Sequence, residues 1–441
     1  MTIAKILESR LCIGCGFCAG VCPQSCITMT WSKSSTWLPV IDYSQCNDCR
    51  LCLNVCPNSI NSLKTAGSKS IITGERYGLN DKQDNTYYIS YATANDARLP
   101  SASGGTATSL LCYLLASGKI NFVVAAKPKM AKIGEPHFET VICRSLEDIK
   151  ACCSSAYGPL RYDLIIREIE KQKKPCAMTV LPCIQRAIAN LPEKYRKYIR
   201  FTLGIICSHN VTDQFGDYMA YRHGISKKEC FLINYRDKEG IADANHFNTC
   251  FKFIDGRKIR SPRMKNGFTP AWRNYWFAQE CCLYCPDFYN ADADISIKDA
   301  WGPLSSDRLG ISLCIVRNEE IKEALYELKS RDDITLEKCD ADVIRNSQND
   351  TVVYKQLNFI YRWLKHPSIH KTAKILIKQS HENQSAVKDY LKKLRAIRVT
   401  KILFHGSRFY FYLLLILTVR VNSLFSKIHN KTYNVSKIFS K

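Results

Sequence analysis

At 441 residues, 46% of them hydrophobic, the chain has material for about two to four domains and a large buried core. Its formal charge of +23 is unevenly placed: residues 351–441 hold 18 Lys and Arg against only Glu382 and Asp389, a net +16, so the first 350 residues carry only +7. That balance argues against nucleic-acid binding by the body of the chain and leaves the basic tail to be explained separately.

The first element is a cysteine pattern written twice. Cys12-Ile-Gly-Cys15-Gly-Phe-Cys18-Ala-Gly-Val-Cys22-Pro23 returns as Cys46-Asn-Asp-Cys49-Arg-Leu-Cys52-Leu-Asn-Val-Cys56-Pro57, at a constant offset of 34 residues. Two residues between successive cysteines let three thiolates wrap one face of a cuboidal cluster, and the fourth cysteine, before a proline, crosses to the partner cluster. This assigns Cys12, Cys15, Cys18 and Cys56 to one 4Fe-4S cluster and Cys46, Cys49, Cys52 and Cys22 to another. A zinc module built from the same thiolates is the competing reading. The segment resembles bacterial two-cluster ferredoxins, which implies single-electron transfer. With 23 cysteines, this ligand spacing and no visible signal peptide, a reducing cytoplasm is expected.

Residues 1–65 thus form a ferredoxin-like module with short helices, in which the clusters supply much of the core. Polar residues 66–86 read as a linker. Tyr87-Tyr-Ile-Ser-Tyr-Ala is β-rich, and Ser103-Gly104-Gly105-Thr106 leads into an apolar helix over Leu110–Leu115 that closes near Gly118. Ile120–Ala126 reads as a buried strand. A strand, a Gly-Gly turn and a helix present bare N–H groups where a phosphate or flavin can approach; a tight turn before a capped helix fits the same residues. Ser154-Ser155-Ala-Tyr157-Gly158-Pro159 is a second such feature, before a predicted helix at Leu160–Lys171.

Three cysteine sites follow in another idiom. Strands at Ala177–Val180 and Phe201–Ile206 end in Leu181-Pro182-Cys183-Ile-Gln185 and Cys207-Ser208-His209-Asn210, and Cys281-Cys282-Leu-Tyr-Cys285-Pro-Asp287 comes later. Cys183, Cys207, Cys282 and Cys285 make a candidate third 4Fe-4S set, although free cysteines are also common core residues. The other eleven cysteines, Cys26, Cys112, Cys152 and Cys153 among them, read as buried thiols.

Ser103-Gly-Gly-Thr, Ser155-Ala-Tyr157, Pro182-Cys183-Ile-Gln185, Gly204-Ile-Ile-Cys207, Tyr235-Arg236, Cys282-Leu-Tyr-Cys285-Pro-Asp287, Ala293-Asp-Ile-Ser-Ile-Lys-Asp299-Ala-Trp301-Gly302 and Gly310-Ile-Ser312 together resemble the beta subunit of coenzyme F420 hydrogenase/dehydrogenase, over roughly residues 90–330. The resemblance implies an α/β flavoprotein with FAD near a 4Fe-4S cluster and hydride exchange with a deazaflavin coenzyme. It gives Cys183, Cys207, Cys282 and Cys285 the cluster role, and Ser103, Gly104, Gly105, Thr106, Ser155 and Tyr157 the flavin. Two departures stand out: Ile184 between Cys183 and Gln185, and Lys298 where the family has a glycine before the aspartate. Because the family has bacterial members whose surroundings offer no deazaflavin, coenzyme F420 does not transfer with the fold. Asp287, Asp294 and Asp299 are proton-handling candidates or plain cap and surface aspartates. His209 is a hydrogen-bond donor to a cofactor or an ordinary satisfied histidine.

Residues 87–170 and 171–346 are then the two parts of the flavoprotein domain. Leu313–Val316, Glu319–Ser330 and Ile334-Thr-Leu-Glu close it as strand, helix and strand. Residues 347–441 read as a basic helical tail, with an amphipathic or interfacial helix near 402–425. Its apolar run of about eleven residues is short of the ~20 needed to span a bilayer, which leaves a membrane-surface helix, a helix docked on the body, a solvated basic helical extension, or a dimer contact. The expected architecture is mixed α+β and α/β, and the expected function an iron–sulfur flavoprotein oxidoreductase working with a redox partner protein or ferredoxin. The alternatives are an electron-transfer subunit without its own substrate, docked on a partner enzyme, and a membrane-surface scaffold in glycan or lipid metabolism.

Overall fold

A computed structural model describes residues 3–63, 79, 85–352 and 355. The linker read at 66–86 falls largely outside these residues, and the helix expected near 402–425 wholly outside. In the amino-terminal module, β1 (Ile27–Trp31) and β2 (Trp37–Ile41) form an antiparallel hairpin with Ile27 opposite Ile41. Alternation along β1 turns Ile27 and Met29 inward. Three helices of the module, Ala4–Glu8, Phe17–Gly20 and Leu51–Asn54, are only four or five residues long, and a further helical stretch begins at Ile60.

The body contributes β3 (Thr86–Ala92), β4 (Phe122–Pro128), β5 (Phe138–Cys143), β6 (Cys176–Val180), β7 (Ile199–Ile205), β8 (Phe231–Asp237), β9 (Asn248–Phe253), β10 (Lys258–Pro262), β11 (Ile295–Asp299), β12 (Ser312–Val316) and β13 (Ile334–Cys339). Eight of these build one mixed sheet in the order β13-β3-β12-β11-β7-β6-β4-β5. Its centre, β4, β6, β7 and β11, is parallel; β5 flanks one side antiparallel, and β12, β3 and β13 the other. A parallel centre must be covered on both faces, and Phe122-Val-Val-Ala125 is buried throughout. Val123 and Ala125 pack with Leu110, Leu114 and Leu325 on one face, while Phe122 and Val124 pack with Ile166, Ile169 and Ile188 on the other. Strands β8, β9 and β10 make a separate antiparallel sheet over an aromatic layer that includes Phe215, Tyr218, Tyr235 and Phe268.

Several elements differ from their sequence expectation for identifiable reasons. The helix expected at Leu110–Leu115 covers Thr106–Ala116 and starts directly after Gly105, whose φ is +86°. The helix expected from Leu160 begins at Asp163, because the Tyr162 N–H donates to the Cys15 carbonyl at 2.8 Å and holds the preceding residues against the module. The strand, helix and strand at the end of the body follow the expected order. A further helix, Ala341–Val352, runs across the boundary drawn at 346. Ile344 and Val352 account for it, since both join Tyr87, Leu313 and Ile315 in one apolar cluster.

The module is not closed on itself. Ile3, Ile6, Leu11, Ile27 and Met29 share a core with Tyr275, Leu283 and Tyr284 of the body. Polar ties add to this: Trp31 Nε1 donates to Gly134 O at 2.7 Å, and Asn190 Nδ2 to Ser62 Oγ at 2.9 Å.

Candidate functional site

Cys12, Cys15, Cys18 and Cys56 line one cavity together with Phe17 and Met29. The run from Cys12 to Cys18 coils tightly enough for this because Gly14 has φ +71°, where a Cβ would stand 2.4 Å from the Trp37 carbonyl oxygen. The Gly14 N–H points at Cys12 Sγ, 3.4 Å away. Burial pushes the Cys15 and Cys18 thiols up and Cys56 up to about 12, and each thiol also feels others of the set. Four thiols around an apolar cavity are the donor set a four-iron cube takes.

Cys52 is in charge contact with Cys49 and Cys22. This second set is open to solvent: Cys49 is exposed, and Cys22, Cys46 and Cys52 are half-buried. Cys26 lies beside it, buried, with its Sγ 3.4 Å from Cys22 Sγ. Of the other thiols read as core, Cys112, Cys152, Cys153, Cys230 and Cys339 are only half-buried, and Cys152 Sγ is 3.6 Å from Cys143 Sγ.

The third set comes together from three distant segments. Strands β6 and β7 are parallel neighbours, so their carboxyl ends lie side by side. Cys183 is in the first turn of the helix Pro182–Ala189, which begins with proline where no helical N–H is lost; Cys207 follows β7. Cys282 belongs to the 3-10 turn Glu280–Tyr284, and Cys285 terminates it. Cys183 feels Cys207, Cys285 and Cys282, and Cys207 feels Cys282 and Cys285. Burial pushes Cys183 up and Cys207 up to about 11, against the pull of Arg186 on the first and Lys355 on the second. The Asn210 N–H donates to Cys282 Sγ at 3.3 Å. Among the described residues, no three Cys, His, Asp or Glu side chains converge as the shell of one metal ion.

Three cations surround this third set, and of these only Lys298 stands within a motif of the sequence. Arg186 Nη1 is 3.5 Å from Cys285 Sγ, Lys355 Nζ donates to the Cys207 carbonyl at 2.7 Å, and Lys298 Nζ to the Ile206 carbonyl at 3.4 Å. Arg186 had a readable signal, since it lies three residues after Cys183 on one helix and therefore on the same side. Lys355, within the stretch read as tail, had none. Ile184 is an ordinary core residue of that helix. Asp287 is buried and its Oδ1 accepts from the Asn290 N–H at 2.9 Å. Asp294 accepts from Thr202 N and Oγ1 at 2.8 and 2.9 Å, tying β7 to β11. His209 lies between Trp272 and Tyr275, both ring centroids 4.1 Å away.

The Ser103–Thr106 loop is braced from within. Ser103 Oγ donates to Ile311 O at 2.7 Å and Thr106 Oγ1 to Ser90 Oγ at 2.9 Å. Gly104 is pressed against the sheet, where a Cβ would stand 2.9 Å from Ser90 O and from Ser312 N. Lys238, whose ammonium burial and then Arg236 push down to about 7, donates to the carbonyls of Arg98, Ser103 and Leu309. Arg236 Nη2 donates to Ala102 O at 3.1 Å and to Asp299 Oδ2 at 2.5 Å, and its Nε is buried without a hydrogen-bond partner among the described residues. Tyr157 packs 5.1 Å from Tyr235 and 4.6 Å from Trp272, and Ser155 is half-buried. Both loop hydroxyls are thus spent inside the fold, and the cations nearest the loop are Arg236 and Lys238. The end of β11 connects it to the third thiol set: Lys298 reaches the residue before Cys207, and Asp299 pairs with Arg236 beside Ser103.

Family models match three stretches of the chain. Residues 87–166 match the amino-terminal part, and 173–342 the carboxy-terminal part, of the beta subunit of coenzyme F420 hydrogenase/dehydrogenase. Residues 11–60 match a 4Fe-4S dicluster domain. No curated protein matches the chain. Among solved structures, a chain of the xenon-derivatised F420-reducing [NiFe] hydrogenase complex from Methanosarcina barkeri is similar at 16% identity and a TM-score of 0.48, over 64% of this chain and 96% of that one.

Proposed function

The chain belongs to the coenzyme F420 hydrogenase/dehydrogenase beta subunit family, with a 4Fe-4S dicluster domain at its amino-terminal side, and from that premise we propose that this oxidoreductase couples a protein electron carrier to a two-electron organic substrate through three 4Fe-4S clusters and FAD. The convergence of Cys183, Cys207, Cys282 and Cys285 at the carboxyl ends of two adjacent parallel strands carries the proposal, because that edge of an open α/β sheet is where ligands bind.

Cys22, Cys46, Cys49 and Cys52 would hold the cluster that faces a redox partner; Cys12, Cys15, Cys18 and Cys56 the one behind it; and the third set the one inside the body. FAD, when bound, supplies the exchange between electron pairs and single electrons. The amides at Ser103–Thr106 would face its phosphates, Arg236 would supply positive charge, and Ser155 and Tyr157 would line its flank. Lys298 adds a cation where the family has a glycine, so the organic partner does not carry over from the family. Anaerobic purification of the full chain, with metal and flavin analysis, is the direct test. About twelve irons and one FAD per chain are expected; zinc in their place, or no flavin, overturns the proposal.

A further inference from the structure

Arg186 is buried to 7% exposure, and the groups around it belong to two different thiol sets. Toward the body, Nη1 lies 3.5 Å from Cys285 Sγ. Toward the module, Nε donates to Pro57 O at 3.4 Å and Nη2 to Asn58 Oδ1 at 3.5 Å. Asn58 is anchored in turn, its Nδ2 donating to Leu11 O at 2.7 Å, and its backbone N–H is directed at Cys56. One side chain thus reaches from a cysteine of the third set to the residues that follow Cys56 and contact the carbonyl before Cys12.

Packing alone does not explain an arginine here. A buried guanidinium is costly unless anionic groups answer it, and those in reach of Arg186 are Cys285, Cys183 and the buried Asp287. Arginine's planar fork can hold several acceptors at once, which a lysine does not reproduce. Charge and hydrogen bonds to sulfur are among the factors that set the reduction potential of an iron–sulfur cluster.

We infer that Arg186 is a positioning residue that fixes the first and third thiol sets relative to each other and, through its charge at Cys285, favours the reduced form of the third centre, so that an electron entering the first set moves on into the body. The inference rests on the proposed third cluster. The step is one electron lost by the first centre and one gained by the third, with no bond made or broken and no proton transferred.

The test is an anaerobic redox titration followed by electron paramagnetic resonance on the iron-loaded full chain, comparing wild type, Arg186→Gln and Arg186→Lys. The third centre's signal is identified as the one missing from Cys285→Ser. In Arg186→Gln its one-electron reduction constant is expected to fall about tenfold, a shift of about 59 mV downward, and Arg186→Lys should recover most of that. Fully reduced wild type should also show magnetic interaction between the first and third signals. An Arg186→Gln protein with full iron content and an unchanged potential overturns the inference. So does a wild-type spectrum without that interaction, which decides the matter if the glutamine variant does not load iron. Wild type with only about eight irons and no third signal overturns instead the three-cluster reading beneath it.

Discussion

Asp213 Oδ2 accepts from the His137 N–H at 2.9 Å, and His137 Nε2 is 3.2 Å from Asp217 Oδ1, with all three residues buried. Burial pushes the Asp213 carboxyl up to about 7, while His137 and then Lys129 pull it down. A carboxyl raised in the folded state holds its proton more tightly folded than unfolded. Its contribution is fully present below the ordinary carboxylate range, near about 4, and is lost as pH rises through about 7. His137 is itself raised by Asp217 and Asp213 against the effect of burial, so its contribution fades with rising pH in the same direction. Urea midpoints measured at about pH 5 and about pH 7 should therefore fall for wild type and fall less for Asp213→Asn. Equal slopes would show that Asp213 does not carry the dependence. Little of this network was legible in the sequence: Asp213 and Asp217 stand one turn apart at the start of a helix, but nothing in the spacing ties them to His137, which meets them only through tertiary packing. The cysteine motifs were legible for the opposite reason: local spacing limits where each thiol can point, and Gly14 completes the turn. Arg186 and Lys355 fall between these cases, since only the first lies on the same helix as a cysteine of its set.

Among the elements, the helix Phe17–Gly20 decides how the module meets the body. It packs on the helix Asp163–Gln172, and a Cβ on Gly20 would stand 3.1 Å from both Asp163 O and Ile166 Cβ. Arg167 Nη2 donates to Ala19 O at 3.0 Å on the same side. Gly20→Ala has to push the two helices apart by a few tenths of an ångström, and overpacking of this kind costs roughly 1–3 kcal/mol. The expected result is a lower melting temperature and faster proteolytic release of the module. A melting curve superimposable on wild type would mean the contact is looser than its geometry. Apolar runs announced the central strands well, because a strand buried on both faces has little choice of composition. The start of the Asp163 helix was not readable, since a carbonyl in the module holds Tyr162. Nor was the helix across residue 346 readable, where a change of composition suggested a boundary but Ile344 and Val352 join the body's core.

For the molecule as a whole, accessibility sets the second thiol group apart. Cys49 is exposed, whereas Cys15, Cys18 and Cys56 are buried; in the third set, across Arg186, Cys183, Cys207 and Cys282 are half-buried and Cys285 is buried. A protein donor therefore has a way in through the second set, while a small reductant can reach the body without it. Cys49→Ser separates the two routes. The serine hydroxyl is a poor substitute for a thiolate, so the variant should lose about four irons while keeping the core that Ile3, Leu11 and Tyr284 share across the module and body. Reduction of the remaining centres by a low-potential ferredoxin, followed by stopped-flow absorbance, should drop to a small fraction of the wild-type rate. Reduction by dithionite should change little. If both rates fall together, loss of the second cluster has damaged the whole fold; if neither falls, the partner docks elsewhere. Only a fall confined to the protein donor fits a path that enters at Cys49 and passes inward behind Cys56.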